Sequence, residues 1–413
     1  MSEEHPTNTA RYKTIADKYG TPIYVLEKIE IEKALADIKK SFGNFPVPIY
    51  IAYPYKTNSL GRLCELLLRA KFWAEVSSGL ELRLASRIGV KASNIILNSP
   101  SKSDEDIKLA LELACKIHID HEEEIERIDY WAKRLDIDLV RVGLRIVSGA
   151  GTNWDKFGFV IGDDIYYALE KIRKVRRLKA VAFHTHRSNI IDLSDYYTHI
   201  SSIVDFTVEA VKRRLIELEY LDLGSGFAIN SPTPINAVKW NAPSLTDYAR
   251  VLLDIWKSSP LPKEMYIILE PGRKVVASST TLITRVMSIK KRARGMLAIV
   301  DAGSNLIPGV DWYKYRFAQL KELDESRPKE TYDVHGCLCD SLDVLGSNVE
   351  LFALRVGELL AISDVGGYDL SRSFSWQIPR PPIAWCESET EIEIVRFNDL
   401  APSSDSFAGT MLS

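Results

Sequence analysis

An α/β chain with parallel strands, continued by a second, β-rich part, is the architecture this sequence predicts. Two observations predict it. Between residues 49 and 270, eight short apolar runs recur, each followed by polar or helix-like sequence, the pattern of strands joined by crossover helices. After about Val275 that alternation stops, and β-branched segments follow one another without helices between them. A (β/α)8 barrel of typical size fits the first part. A doubly wound open sheet has the same periodicity, and periodicity alone does not separate the two.

The eight runs are 49–53, 72–76, 95–97, 116–119, 139–144, 180–184, 220–223 and 266–269. Segments such as 101–115 and 203–218 carry apolar residues at helical spacing and are long enough to cross over. In the second part, strands are expected at 280–289, 296–300, 348–354, 359–362 and 391–396, and the opening 21–26 reads as a strand that joins them. The expected division is a barrel over 28–278, a β-sandwich or β-barrel-like domain from 1–27 with 279–400, and a loose Ser-rich tail over 401–413. A chain of 413 residues is long for one core, which also favours two domains.

Composition narrows the partners. A formal net charge of -3, with acids and bases interspersed, argues against a nucleic-acid groove or an anionic membrane surface. The acidic run Glu122-Glu123-Glu124-Ile125-Glu126 reads as a solvated helix face. Cysteines at 64, 115, 337, 339 and 386 form neither a disulfide framework nor CxxC pairs, so a reducing compartment is expected. The opening Met1-Ser2-Glu3-Glu4-His5-Pro6 is too polar for a secretory signal. No apolar run approaches the roughly 20 residues of a membrane helix. A soluble, cytoplasmic protein is the expectation.

Functional groups of parallel α/β barrels sit at the carboxyl ends of strands, and unusual residues fall there. Lys56 follows the first run; partial desolvation of its amine lowers the pKa and makes it a candidate nucleophile toward an aldehyde. Glu75, Ser77 and Ser78 end the second run. His184 and His186 end the sixth and share a face if the strand continues. Gly224-Ser225-Gly226 follows the seventh, and Glu270 and Arg273 the eighth. Phosphate oxygens need backbone N–H groups that no side chain screens, and barrel phosphate sites often use the loops after strands seven and eight. Singly, each feature has a bland alternative: a tight turn for the glycines, a surface ion pair for Arg273, a solvated strand end for Lys56. Together they supply an amine, an anion cradle and a carboxylate, the three groups a pyridoxal phosphate site needs.

Here the chain resembles the fold-type III pyridoxal phosphate-dependent amino acid decarboxylases, the group containing diaminopimelate and ornithine decarboxylases. Tyr53-Pro54-Tyr55-Lys56 matches the family's Tyr-x-x-Lys. Val76-Ser77-Ser78-Gly79-Leu80-Glu81 is similar to its Val-Ser-Gly-Gly-Glu segment, Asn98 to Ser103 to its Asn-Lys-Ser stretch, and His184-Thr185-His186-Arg187-Ser188 to its His-x-His-x-Gly-Ser. Leu221-Asp222-Leu223-Gly224-Ser225-Gly226-Phe227 and Glu270-Pro271-Gly272-Arg273 match closely. Gly336-Cys337-Leu338-Cys339-Asp340-Ser341 resembles Gly-Pro-x-Cys-Glu/Asp-Ser, and Gly366-Gly367-Tyr368 resembles Gly-Ala-Tyr. The likeness runs from about residue 20 to 385, in the family's motif order.

The resemblance implies a barrel of the alanine racemase type plus the β-rich domain, and it implies roles. Lys56 holds pyridoxal phosphate covalently, Glu270 bonds the protonated ring nitrogen, and His186 lies against the ring. Gly224, Ser225, Gly226 and Tyr368 hold the phosphate, with Arg273 near phosphate or substrate. Cys339 returns a proton to the α-carbon and comes from the other subunit, which implies a homodimer with shared active sites. Tyr313 and Asp340 face the substrate. The departures matter too. Gly309, in Leu306-Ile307-Pro308-Gly309-Val310-Asp311-Trp312-Tyr313, stands where diaminopimelate enzymes carry an arginine for the distal carboxylate. Asp340 is the ornithine-type choice after the cysteine. A basic amino acid other than meso-diaminopimelate is therefore the expected substrate.

Three rival readings share these residues. A metal-dependent barrel hydrolase would use His184 and His186 with His118, His121 and Asp222. A non-catalytic relative would keep the fold as a binding or regulatory protein, against which Lys56, Glu270 and Cys339 together argue. A racemase on the same cofactor wants an arginine, not Glu270, at the ring nitrogen. No metal is expected. Cys337-x-Cys339 has no second pair with which to complete a metal site.

Overall fold

A computed structural model describes residues 8–148, 156–293, 295–320 and 326–396. The segment 1–6 and the tail expected over 401–413 lie outside the described residues. The chain divides into two compact units. One comprises Leu35–Ile229 and Asn241–Lys274; the other takes the described residues on either side together with Asn230–Trp240.

The first unit is a closed ring of eight parallel strands: β1 (Ile49–Pro54), β2 (Trp73–Val76), β3 (Ile95–Asn98), β4 (Lys116–Ile119), β5 (Val140–Val147), β6 (Leu178–His184), β7 (Tyr220–Asp222) and β8 (Tyr266–Leu269). Each pairs with its neighbour in sequence, and β8 pairs back onto β1 through Ile267–Ile49 and Leu269–Ile51. That last pairing excludes the doubly wound alternative, which leaves two free edges. The strands are apolar almost throughout because both faces are covered, one by packed side chains and one by helices. Local chemistry starts those helices where the sequence signals it. Ser103 and Ser244 form capping boxes with Asp106 and Asp247, and Ser78 accepts from the Glu81 N–H.

The acidic run at 122–126 departs from its reading as a solvated face. It opens the helix Glu123–Arg134, but Glu124 points inward and is fully buried. Its carboxylate accepts from Lys102 Nζ at 3.0 and 2.8 Å and from the Asp120 N–H at 2.9 Å. Burial pushes the Lys102 amine down from the usual range, against the pull of Glu124. Lys102→Ala would strand a buried carboxylate, which costs about 3–5 kcal/mol. Urea unfolding should register a loss of that order. A change within about 0.5 kcal/mol, the range of ordinary surface substitutions, would refute it.

The second unit is built on a mixed nine-stranded sheet. Its spine is the 13-residue strand Thr280–Arg292, which pairs antiparallel with Ile23–Glu27, Gly295–Val300 and Leu359–Ser363. The N-terminal strand thus joins the C-terminal part, and it also runs parallel to Ile383–Cys386. The sequence reading lacked Arg316–Gln319, Lys329–His335 and Ile383–Cys386. In Lys329–His335 only Tyr332 and Val334 are buried, so four charged or ionisable neighbours dilute the alternation. Ile383–Cys386 is buried at every position and follows prolines at 379, 381 and 382, which obscure a strand signal. Asn230–Trp240 belongs here because Thr233–Pro234 pairs with Tyr313–Lys314 and Ser231 donates to Asp364 at 2.6 Å.

Candidate active site

The carboxyl ends of β1, β2, β6, β7 and β8 carry the barrel's chemistry. β1 stops at Pro54, and a tight 3-10 turn, Tyr55–Thr57, presents Lys56 just beyond the strand. Its amine has an acidic partner that the desolvation argument left out. Nζ is ion-paired with the carboxylate of Glu75, a fully buried residue on the adjacent β2. Burial pushes the Glu75 carboxyl up to about 7, with Lys56 pulling the other way. A carboxyl poised there, in hydrogen-bond contact with Nζ, can take the proton that the amine must lose to become nucleophilic.

β6 ends at His184, and the chain stays extended enough for His186 to follow on the same side. His184 Nε2 and His186 Nδ1 each lie 3.7 Å from Glu270 Oε2. Burial drives the pKa of both rings down, that of His186 to about 3, so both are neutral near pH 7. Asn98 Nδ2 sits 3.2 Å from His184 Nε2.

After β7 the chain turns through Gly224 and Gly226 with φ of +57° and +68°. A Cβ at 224 would come within 2.6 Å of Thr185 O and 2.7 Å of His186 Nδ1; one at 226 would meet Ile190 Cδ1 at 2.8 Å. Glycine is required at both on space and on backbone angle. The Glu270 N–H donates to Gly224 O at 2.7 Å, which ties this turn to the end of β8. Arg273 opens the short helix Arg273–Val276, and its guanidinium donates to Asn189 Oδ1 on the loop after β6. The Ile190 N–H then donates to Gly226 O at 2.9 Å. Lys56, His186, Gly224, Ser225, Gly226, Glu270 and Arg273 thus stand on neighbouring strand ends of one ring.

The barrel residues fit pyridoxal phosphate at both ends of the molecule. Glu270 is buried and its Oε1 has no hydrogen-bond partner among the described residues; a carboxylate has several lone pairs, and it would also accept from a protonated ring nitrogen. The Gly224–Gly226 turn leaves backbone unscreened where a phosphate approaches.

Cys339, Asp340, Tyr313 and Tyr368 belong to the second unit. Cys339 is exposed on the turn between Lys329–His335 and Val344–Phe352, its N–H donating to Gln377 Oε1 at 2.8 Å. Asp340 is exposed and accepts from the Leu342 N–H. Tyr313 is half-buried in its two-residue strand. Tyr368 adopts φ +74° just before the helix Asp369–Arg372. Gly309 has a structural reason absent from the sequence reading. Its N–H donates to Asp369 Oδ1 at 2.8 Å and Tyr315 Oη donates to Oδ2 at 2.7 Å, and a Cβ at 309 would fall on both partners. Burial pushes the Asp369 carboxyl up to about 7.

Sequence reasoning missed the partners: Glu75 for Lys56, Asn189 for Arg273, Asp369 for Gly309. A glutamate inside the apolar run Trp73–Val76 was a usable signal. Asn189, on the loop after β6, and Asp369, opening a four-residue helix after Gly366-Gly367, gave none.

The family model described as the pyridoxal binding domain of pyridoxal-dependent decarboxylases matches residues 28–277. The chain belongs to the pyridoxal-dependent decarboxylase family. The family supplies the cofactor, pyridoxal phosphate, and the reaction class. This decarboxylase is 30% identical to a diaminopimelate decarboxylase of Archaeoglobus fulgidus, over 86% of this chain and 84% of that protein. It is 28% identical to the diaminopimelate decarboxylase of Methanocaldococcus jannaschii, over 92% and 90%. A crystal structure of the M. jannaschii enzyme in co-complex with L-lysine superposes with a TM-score of 0.86 at 26% identity, covering 97% of this chain and 94% of that one. The lysine/ornithine decarboxylase of Vibrio vulnificus shares the fold, with a TM-score of 0.75 at 22% identity, over 91% and 95%.

The hydrolase reading gives way to this assignment. Two of its donors are engaged elsewhere: half-buried His121 is paired with Glu123 at 2.7 Å, and His118 faces Tyr220 Oη at 3.1 Å. No helix among the described residues of the decarboxylase is long and apolar enough to cross a membrane.

Proposed function

We propose that the protein decarboxylates a basic amino acid other than meso-diaminopimelate, with Lys56 as the residue that holds the cofactor. When bound, pyridoxal phosphate supplies an electron sink for the electron pair left on the α-carbon as carbon dioxide departs. Lys56 Nζ is the attachment atom, and Glu75 takes its proton. Glu270 bonds the ring nitrogen and keeps it protonated. The uncharged His186 lies against the ring and adds no competing charge. Gly224, Ser225 and Gly226 offer backbone N–H groups to the phosphate, Arg273 serves phosphate or substrate, and Tyr368 is a phosphate-binding candidate by its likeness to the family motif. Cys339 holds the proton returned to the α-carbon, in a homodimer whose active sites are shared.

One observation carries the substrate reading: position 309 has no room for a side chain, because Tyr315 and Asp369 occupy it. A distal carboxylate buried there without a cation would be costly, whereas the acid at 340 suits a distal amine. The names of the relatives favour the second reading, meso-diaminopimelate itself. Carbon dioxide release should be measured with ornithine, lysine, arginine, meso-diaminopimelate and carboxylated polyamines. We expect a substrate with a cationic distal end to have the highest kcat/KM. Turnover of meso-diaminopimelate at a matching rate would refute the reading.

A further inference from the structure

Three carboxyls are enclosed at the strand ends of the barrel: Glu75 on β2, Asp222 closing β7, and Glu270 after β8, none more than 1% exposed. Among the described residues, none of the nearby lysines and arginines forms an ion pair with Asp222 or Glu270, although Arg145 acts on both electrostatically. Lys56 is paired with Glu75, Lys102 with Glu124, and Arg145 on β5 lies 4.0 Å from Asp120. His184 and His186 are kept neutral by burial. Asp222 and Glu270 remain, at the ends of adjacent strands, with one side-chain nitrogen or oxygen each of His184, Asp222 and Glu270 all within 4.8 Å of one another.

Two carboxylates that close in a dry interior do not both ionise. The hydrogen-bond pattern calls for one shared proton, and the reading of Glu270 as the carboxylate that meets the ring nitrogen assigns it to Asp222. Asp222 Oδ1 accepts the Gly224 N–H at 3.1 Å. Asp222 Oδ2 and Glu270 Oε1 are both enclosed, and neither receives a hydrogen bond from any donor among the described residues. One proton on Asp222, shared with Glu270, satisfies both atoms at once. Burial first, and Glu270 beside it second, push the Asp222 carboxyl well above the usual carboxylate range.

We propose that Asp222 is a positioning residue that stays protonated and hydrogen-bonds Glu270, holding that carboxylate ionised and aimed at the ring nitrogen of the cofactor. It rests on the reading of Glu270 as the partner of that nitrogen. The consequence is sharp: Asp222 works as a neutral donor, so a carboxamide can replace it. In Asn the amide N–H donates to Glu270, while the carbonyl keeps the Gly224 N–H.

The test compares D222N, D222A and E270Q with the wild type, as holoenzymes titrated with pyridoxal phosphate and as apoproteins. D222N should bind the cofactor within a few-fold of wild type and keep the pH profile of its visible absorbance. D222A should bind it roughly tenfold more weakly, the cost of one charge-assisted hydrogen bond, and should shift that profile. Apoprotein infrared spectra at neutral pH should contain a protonated-carboxyl band that D222N lacks. Equal damage in D222N and D222A, or no infrared band, overturns the proposal; so does an unchanged profile in both variants. If D222A does not fold, D222N and the infrared band still decide. Failure of the Glu270 reading is distinguishable: E270Q would then leave cofactor absorbance and affinity as in wild type, with the Asp222 band still present.

Discussion

Lys56→Ala will abolish covalent retention of pyridoxal phosphate and lower kcat by on the order of 10³ or more, if as proposed the residue both holds the cofactor and manages a proton. Borohydride reduction of the wild-type holoenzyme followed by peptide mapping should place the label on the peptide containing Lys56. A label on another lysine, or no label, refutes the assignment. The loss should not come from misfolding, because the Lys56 side chain is about one-third exposed and lies in a turn rather than in the ring itself. What the substitution leaves behind is Glu75, buried and without its ion partner. Its carboxyl will then stay protonated to higher pH, since burial raises it and Lys56 is the influence that lowers it most. Glu75→Gln in the Lys56→Ala background should therefore cost little further stability by urea unfolding.

Cys339→Ala should keep the bound cofactor and its spectrum but lower decarboxylation by about 10²–10⁴, the range for loss of a positioned acid. Turnovers that do occur should divert to abortive transamination, read as amino-transferred cofactor by absorbance and mass spectrometry. Normal decarboxylation by this variant would remove Cys339 as the proton donor. The same pair of variants tests the shared site. Mixing Lys56→Ala with Cys339→Ala should restore activity that neither has alone, because a mixed dimer carries one site with both residues intact. No recovery under conditions where subunits exchange would argue that both residues of a site come from one chain.

Much of this protein was legible from pattern because the pattern is local. Eight apolar runs at crossover spacing gave all eight barrel strands, and the β-branched stretches after Val275 gave the spine of the second sheet. The residues that end those runs marked the site for the same reason: a strand end fixes where a side chain emerges. Reading failed where charge masks burial, as in Lys329–His335, and where a charged run was taken for a solvated one. Glu124 and the three other glutamates of its run look alike in sequence; only Glu124 meets a buried lysine.

The order and spacing of residues by themselves determined the parallel α/β architecture, and they marked Lys56, Gly224–Gly226 and Glu270 as candidates for the cofactor's site. Closure of the ring was decided only when β8 found β1, more than two hundred residues away in sequence. So was the state of every charge in the site. Whether Glu75 is paired, Asp222 protonated or position 309 filled depends on distance and exclusion of water between segments far apart in the chain. Neither quantity is encoded in the local periodicity from which strands and helices are read.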